Sequence, residues 1–514
     1  MLVKTIGASL FGTDAIGIQV EVNVSMGQGY CIVGLPDTAV KESLHRTEIA
    51  IKANGFQMPR TKLVINLAPA DIKKTGPAFD LPIAIGILAA SDQITHSVVL
   101  TNYLMMGELS LNGALQPIKG VLAMAIYAKE AGLDGLIIPT TNAAEASLIE
   151  GLKVYGFDHL IDVTQFCNHP ESFSPFQQID SDNAITPIDY SVDFAFIKGQ
   201  FQAKRAIEIA AAGGHNLIMV GPPGAGKTLL AKTSISILPE MSHEETLETS
   251  KVYSLTGKLS PKAGLMHTRP FRNPHHSLSA IALVGGGSIP QPGEISMAHN
   301  GILFLDELPE FSRAAIEILR QPMEAGYVSI SRSRQTVEFP SRFMLFASMN
   351  PCPCGYFNHP QKACTCSPSS VRKYLHKISG PLLDRIDLQI EVVPISYDAL
   401  SNPSITENSM TIKNRVQNAR SIQLKRFKQR PGINTNAQMQ SFDLKEWAQL
   451  DDASAKLLKT AMEQFHLSAR AYDRIIKVAR TIADLDGSKN IQNQHISESI
   501  QYRMLDRAGW GQAY

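Results

Sequence analysis

Residues Gly221 to Thr228 read GPPGAGKT and satisfy the pattern G-x-x-x-x-G-K-[ST] in full. An apolar run, NLIMV (216–220), precedes the glycines as a short strand and a helical stretch follows them, which is the context the pattern requires. In such a loop Gly221, Pro222, Pro223, Gly224, Ala225 and Gly226 turn backbone N–H groups towards a phosphate chain. Lys227 then meets the outer phosphates and the Thr228 hydroxyl ligates Mg²⁺. Further on, GILFLDE (301–307) is an apolar strand that delivers Asp306 and Glu307 at its carboxyl end, where α/β sheets place ligands. Asp306 suits the Mg²⁺ shell, and Glu307 suits a base that polarises a water for attack on the γ-phosphate of ATP. A chance glycine loop and a solvated acidic turn are the plain alternatives; the two halves together predict a P-loop fold that hydrolyses ATP.

The strand, glycine loop and helix pattern extends over about 196–395 and includes a further strand, RFMLFASMN (342–350). On its amino-terminal side, residues 1–167 alternate strand-like IQVEVNV (18–24), TKLVINL (61–67) and LIIP (136–139) with helical GVLAMAIYAKEAGL (120–133), an α/β domain. The stretch 168–195 is rich in Pro, Ser and Asp without helical periodicity and predicts a linker. Residues 396–514 turn helical, and SARAYDRIIKVARTIADL (468–485) carries an i, i+3, i+4 apolar stripe.

A chain of 514 residues exceeds one hydrophobic core and agrees with several domains. With 44% hydrophobic and 18% charged residues, it is expected to fold nearly throughout. A net charge of +1 excludes a uniformly basic surface, so any polyanion must be met by local patches. The first 25 residues show no export signal, and LPIAIGILAA (81–90) is about half of the roughly 20 residues a membrane helix needs. A cytoplasmic location, no membrane partner and reduced thiols are expected.

Four of the six cysteines fall in MNPCPCGYFNHPQKACTCS (349–367), as C-x-C-x9-C-x-C through Cys352, Cys354, Cys364 and Cys366. Four soft thiolates converging from one loop suit a tetrahedral structural Zn²⁺; unligated thiols, and His359 as a substitute ligand, are the alternatives. A loop of this length buries no core of its own, and a metal would rigidify it.

The segments RPFRNPHHSLSAIALVGGGSIPQPGEISMAHNGILFLDE, FASMNPCPCG, ISGPLLDRIDL and LSARAYDRIIKVARTIADL together resemble the ComM/YifB family of magnesium-chelatase-like AAA+ ATPases. The resemblance implies an N-terminal Lon-protease-like α/β domain, an AAA+ P-loop core and a C-terminal helical lid. It implies that Asn350 is sensor 1, orienting the lytic water, and that Arg385 is an arginine finger acting on a neighbour's ATP. Arg470 resembles sensor 2, with Arg474 one turn on as its rival. A finger supplied in trans implies a ring, by resemblance a homohexamer. In the N-terminal domain, KTGPAFDLP and GELSLNGALQPIKGVLAMA resemble the segments that carry the Lon serine and lysine. Here the serine position is Ala78 and the lysine region reads Leu122, Ala123, Met124, so the domain is expected to be a noncatalytic accessory.

Three basic elements are candidates for nucleic acid. They are a predicted hairpin with Arg332 and Arg334, an acid-free run with Arg269 and Arg272 beside Phe271, and TIKNRVQNARSIQLKRFKQR (411–430). The resemblance implies a hexameric DNA helicase that promotes branch migration of recombination intermediates in natural transformation. Its partners would be single-stranded or branched DNA and recombination proteins. A chelatase-like remodeller of a protein partner is the alternative, and a Lon-like protease is opposed by Ala78.

Overall fold

The computed structural model describes residues 1–95, 99–177, 193–259, 264–287, 290–332, 335–357, 359, 362–394, 407–430, 432–503 and 505; of Arg332 and Gln335 it describes the backbone only. The chain is a mixed α/β protein.

The N-terminal strands are β1 (Leu2–Phe11), β2 (Asp14–Ser25), β3 (Tyr30–Val33), β4 (Lys62–Ala68), β5 (Tyr103–Met105), the short pair β6 (Glu108–Leu109) and β7 (Leu115–Gln116), β8 (Gly135–Pro139) and β9 (Lys153–Phe157). Seven of them form one mixed sheet in the order β3-β4-β2-β1-β5-β8-β9. In β2 alternation buries Ile18, Val20 and Val22, and antiparallel pairing sets Val20 against Thr5 of β1 and Val22 against Ile65 of β4. The apolar decamer at 81–90 lies in the helix Asp80–Ala90, whose every residue is buried. It packs so closely beneath the sheet that a Cβ on Gly86 would stand 2.6 Å from Val22 Cγ2. A core helix explains its hydrophobicity, and among the described residues no helix is long and apolar enough to cross a membrane.

The second sheet is built from β10 (Leu217–Val220), β11 (Phe271–Arg272), β14 (Ile302–Leu305), β17 (Met344–Met349) and β18 (Leu388–Glu391); β12 (Gly285–Gly286) and β13 (Gln291–Pro292) pair apart from it. Its order is β11-β14-β17-β10-β18, with every pairing parallel. Parallel strands are covered on both faces, which is why LIMV and ILFL are buried without alternation. The predicted hairpin forms from β15 (Tyr327–Arg332) and β16 (Gln335–Pro340), with Ile330 opposite Val337. Its buried face, Val328, Ile330, Val337 and Phe339, belongs to the apolar cluster that includes Leu303 and Leu345 of the sheet.

The C-terminal part is helical: Ser409–Arg426, Ser441–Trp447, Asp452–Phe465, Ala469–Leu485 and Asn493–Gln501. The stripe predicted at 468–485 buries Ile475, Ile476, Ala479, Ile482 and Ala483. Asp193, at the end of the predicted linker, accepts from Ser409 N through Oδ1 at 3.0 Å and joins the first of these helices to the P-loop core. The N-terminal sheet domain is fixed to the core through the helix His243–Thr256. Gly120 N donates to Ser254 O at 3.2 Å, the Ser254 hydroxyl donates to buried Glu145, and Lys251 pairs with Asp14 at 2.8 Å.

Candidate active site

Three parallel strands deliver the site. β10 runs into Gly221–Gly226, β14 into Asp306 and Glu307, and β17 into Asn350, so the three carboxyl ends lie side by side. Gly224 and Gly226 have φ of 78° and 88°, and nothing lies within 4 Å of where a Cβ would stand. Backbone conformation, not crowding, demands glycine at both.

Lys227 begins the helix Lys227–Thr233, and its ammonium donates to Gly221 O at 2.6 Å, Pro222 O at 3.0 Å and Asn350 Oδ1 at 3.1 Å. Burial pulls its pKa down from the usual lysine range, against Asp306 and Glu307, which favour the charge. The Thr228 hydroxyl donates to Asp306 Oδ2 at 2.7 Å, and the Ser348 hydroxyl donates to the other oxygen, Oδ1. A hydroxyl beside an oriented carboxylate fits Mg²⁺, a hard ion that takes a few protein oxygens and keeps water and phosphate for its remaining positions. Glu307 follows with φ 53°, a left-handed conformation costing a side-chain-bearing residue roughly 1–2 kcal/mol. Its N–H donates to Asp306 Oδ1 at 3.1 Å and Ser348 Oγ at 3.2 Å, which hold that turn and leave the Glu307 side chain exposed.

Ser348 was not among the predicted site residues, although it lies on β17 only two positions before Asn350, which follows the strand. Gln200 was also missed. Its amide donates to Ala225 O at 3.4 Å and Val393 O at 2.6 Å, tying the phosphate loop to the exit of β18, and nothing in its local sequence signals this.

The four cysteines converge: one sulfur from each lies within 4.8 Å of the others. Sulfur separations of 3.3, 3.7 and 3.6 Å among Cys352, Cys354 and Cys364 are close to the roughly 3.8 Å edge of a tetrahedron with 2.3 Å metal–sulfur bonds. Cys354 N donates to Cys366 Sγ at 3.4 Å and Phe357 N to Cys352 Sγ at 3.3 Å, contacts that suit thiolates. The donor set therefore fits Zn²⁺. The same loop touches the phosphate loop: Gly355 has φ 83°, and a Cβ there would fall 2.5 Å from Pro223 Cδ.

Arg385, Arg470 and Arg474 sit elsewhere. Asp387, which Arg474 Nη1 meets at 3.1 Å, accepts from Asn216 N at 2.9 Å, and Asn216 immediately precedes β10. That is the amino edge of the sheet, about 13 Å along a four-residue strand from the phosphate loop. Arg385 is buried there, with Nη2 2.7 Å from Glu324 and Nη1 donating to Pro381 O at 2.6 Å. Arg474 is locked to Asp387, whose carboxyl stays far below the usual range because Arg474 and His215 outweigh its burial. Arg470 is exposed and approaches Asp384 at 4.0 Å.

Two basic candidates are already engaged by carboxylates. Arg269 is held by Glu245 at 2.7 Å and by the carbonyls of Pro239 and Asn300, each at 2.7 Å, while Arg272 pairs with Glu294 through two bonds of 2.6 and 2.8 Å. The acid-free run finds its carboxylates on other segments, and Phe271–Arg272 is an edge strand. In 411–430, Lys413 pairs with Glu240, Arg415 with Glu208 and Glu407, Arg426 with Asp484 and Arg430 with Asp443, so four of its seven cations are held by carboxylates. The Arg332 side chain and Arg334 lie outside the described residues.

Residues 193–400 match the family described as magnesium chelatase, subunit ChlI; residues 20–142 match subunit ChlI of Mg-chelatase, and 406–503 its C-terminal part. YifB of Escherichia coli strain K12 is 42% identical over 499 residues, 96% of each chain. The chain belongs to the ComM/YifB family of magnesium-chelatase-like AAA+ proteins. Competence protein ComM of Haemophilus influenzae is 43% identical, also over 96% of each chain. Lon protease 2 of Bacillus subtilis is 25% identical over 192 residues, 33% of this chain and 34% of that protein. In this ComM/YifB chain the Lon-like segment is filled by packing. Ala78 O accepts from Gly107 N at 2.9 Å, and Leu122, Ala123 and Met124 are buried.

Proposed function

We propose that the chain is an ATP-driven ring motor on DNA, a branch-migration helicase serving recombination during natural transformation. The observation that carries this is the division of the site between opposite sheet edges. Lys227, Thr228, Asp306, Glu307 and Asn350 gather at the carboxyl edge, and Arg385 and Arg470 at the amino edge. One chain cannot bring both sets to one nucleotide, whereas a neighbour in a closed ring can, and the family resemblance favours a homohexamer.

In this mechanism Lys227 exchanges its loop carbonyls for phosphate oxygens, and Thr228 and Asp306 hold Mg²⁺, which neutralises phosphate charge when bound. Asn350, released from Lys227, positions the water that Glu307 polarises. Arg385 leaves Glu324 to meet the neighbour's γ-phosphate, with exposed Arg470 beside it. The name of the Haemophilus relative supports the competence role.

Turnover of ATP with and without single-stranded DNA tests the substrate: a DNA motor is stimulated, and equal rates favour a chelatase-like remodeller of a protein. Within the motor, Arg332→Ala with Arg334→Ala is expected to reduce DNA-stimulated turnover and branch migration while basal hydrolysis and assembly persist. Removing two phosphate contacts also lowers the log–log salt slope of binding by about two. Forked DNA unwound at the wild-type rate would make the hairpin structural.

Cys352, Cys354, Cys364 and Cys366 would hold Zn²⁺ and brace the phosphate loop through Gly355 and Pro223. Metal analysis of protein prepared without chelator is expected to find about one zinc per chain, lost on Cys352→Ser with Cys364→Ser. Zinc-free wild-type protein with full ATPase activity would refute the site.

A further inference from the structure

A cavity of about 420 Å³ lies on the far side of the sheet from the phosphate loop. Its core walls are residues that immediately precede strands: Asn216 before β10, Gly301 before β14 and Phe343 before β17. The phosphate-loop residues follow those same strands, so about 13 Å of strand separates the two sites. The other wall comes from the helical lid, through residues 432–435 and 437–440, Arg474 and Lys477.

The charge of this cavity is not balanced from within. Among the cations lining it, Arg269 is neutralised by Glu245 and Arg474 by Asp387, while Glu324 is engaged by Arg385. Among the described residues Arg342, Arg420 and Lys477 form no direct ion pair with a carboxylate; Glu248, Glu245 and Asp387 act on them only at longer range. Arg342 is exposed and makes no side-chain hydrogen bond or ion pair among the described residues. Arg420 is 7% exposed; one of its Nη atoms donates to Ala211 O at 3.1 Å, and its Nε has no partner among the described residues. Lys477 is 9% exposed and, among the described residues, donates only to Ala437 O, at 3.1 Å. The buried Ser341 hydroxyl, on the same wall as Arg342, is also without a partner among the described residues.

Burying cations without a directly paired counter-charge is unfavourable, and the groups register it. Burial, reinforced by Arg269 and opposed by Glu245, pushes Arg420 down to about 9, and burial, reinforced by Arg474 and opposed by Asp387, Asp473 and Asp443, pushes Lys477 down to about 8. Two guanidinium forks, an ammonium and a hydroxyl around a cavity of ligand size suit a multivalent oxyanion better than a single carboxylate.

We infer that this cavity is a second phosphate-binding site, in which Arg342, Arg420, Lys477 and Ser341 hold the phosphate groups of a small anion and clamp the helical lid to the AAA+ core. The phosphate has two possible sources, a free phosphorylated metabolite or the nucleotide of an adjoining subunit, because Glu324 and its partner Arg385 stand at the cavity's edge. The site is separate from the ATPase reading and can fail without it.

The test is calorimetric titration of full-length Lys227→Ala with pyrophosphate, so that the phosphate loop does not compete. About one site per chain is expected, and adding Arg342→Ala, a change at an exposed side chain, should weaken binding tenfold or more. Lys477→Met in the same background, with its melting temperature checked, should do the same. Binding that persists in the assembled ring supports a free anion, and binding lost on assembly supports the neighbour's nucleotide. Absence of binding to Lys227→Ala, or equal affinity in the Arg342→Ala protein, would overturn the site.

Discussion

Glu307→Gln is expected to bind ATP as the wild type does and to lose turnover by roughly 10²–10⁴-fold, the usual worth of a positioned general base. The substitution is isosteric, and the turn around it rests on backbone contacts: Glu307 N donates to Asp306 and Ser348 whichever side chain follows. Only the ability to take a proton from water is removed. Lys227→Ala gives the opposite pattern, because the ammonium that now holds Gly221, Pro222 and Asn350 is the group that would hold phosphate. Nucleotide binding itself should weaken there. Equilibrium binding of a fluorescent ATP analogue, paired with steady-state phosphate release, separates the two. Wild-type turnover in Glu307→Gln would remove Glu307 from the mechanism.

Arg385→Ala is expected to lower ATP turnover by roughly 10³–10⁵-fold, the range of fingers that stabilise transferring phosphate. Rings mixed from Arg385→Ala and Glu307→Gln subunits should recover activity, because an intact Glu307 then meets a neighbour's intact Arg385. The recovery depends on geometry: Arg385 lies at the amino edge of the sheet whose carboxyl edge holds Lys227. It also depends on release, since Arg385 is folded onto Glu324 at 2.7 Å in the single chain. Mixed rings of confirmed assembly that stay inactive would count against a finger in trans.

The P-loop was legible in the sequence because its chemistry is local. Gly224, Gly226, Lys227 and Thr228 work through backbone conformation and side chains within one turn of chain, so spacing alone reveals them. Asp306 and Glu307 were legible for a similar reason, since a buried parallel strand shows itself as an unbroken apolar run and its carboxyl end is where ligands bind. The cysteine cluster could be predicted because two C-x-C pairs on one loop have few other ways to converge.

Charges behaved differently. Arg269 and Arg272 form an acid-free run in sequence yet are neutralised by Glu245 and Glu294, which are 24 and 22 residues away. Ser348, Gln200 and the contact of Gly355 with Pro223 likewise needed the folded chain, as did the burial of Arg385 and the cation-lined cavity. Periodicity and motif spacing record interactions between near neighbours, and these determined the strands, the phosphate loop and the family. Ion pairing and burial join residues from distant segments, so which arginines are free to meet a ligand was decided only when the sheet, the lid and the cysteine loop packed together.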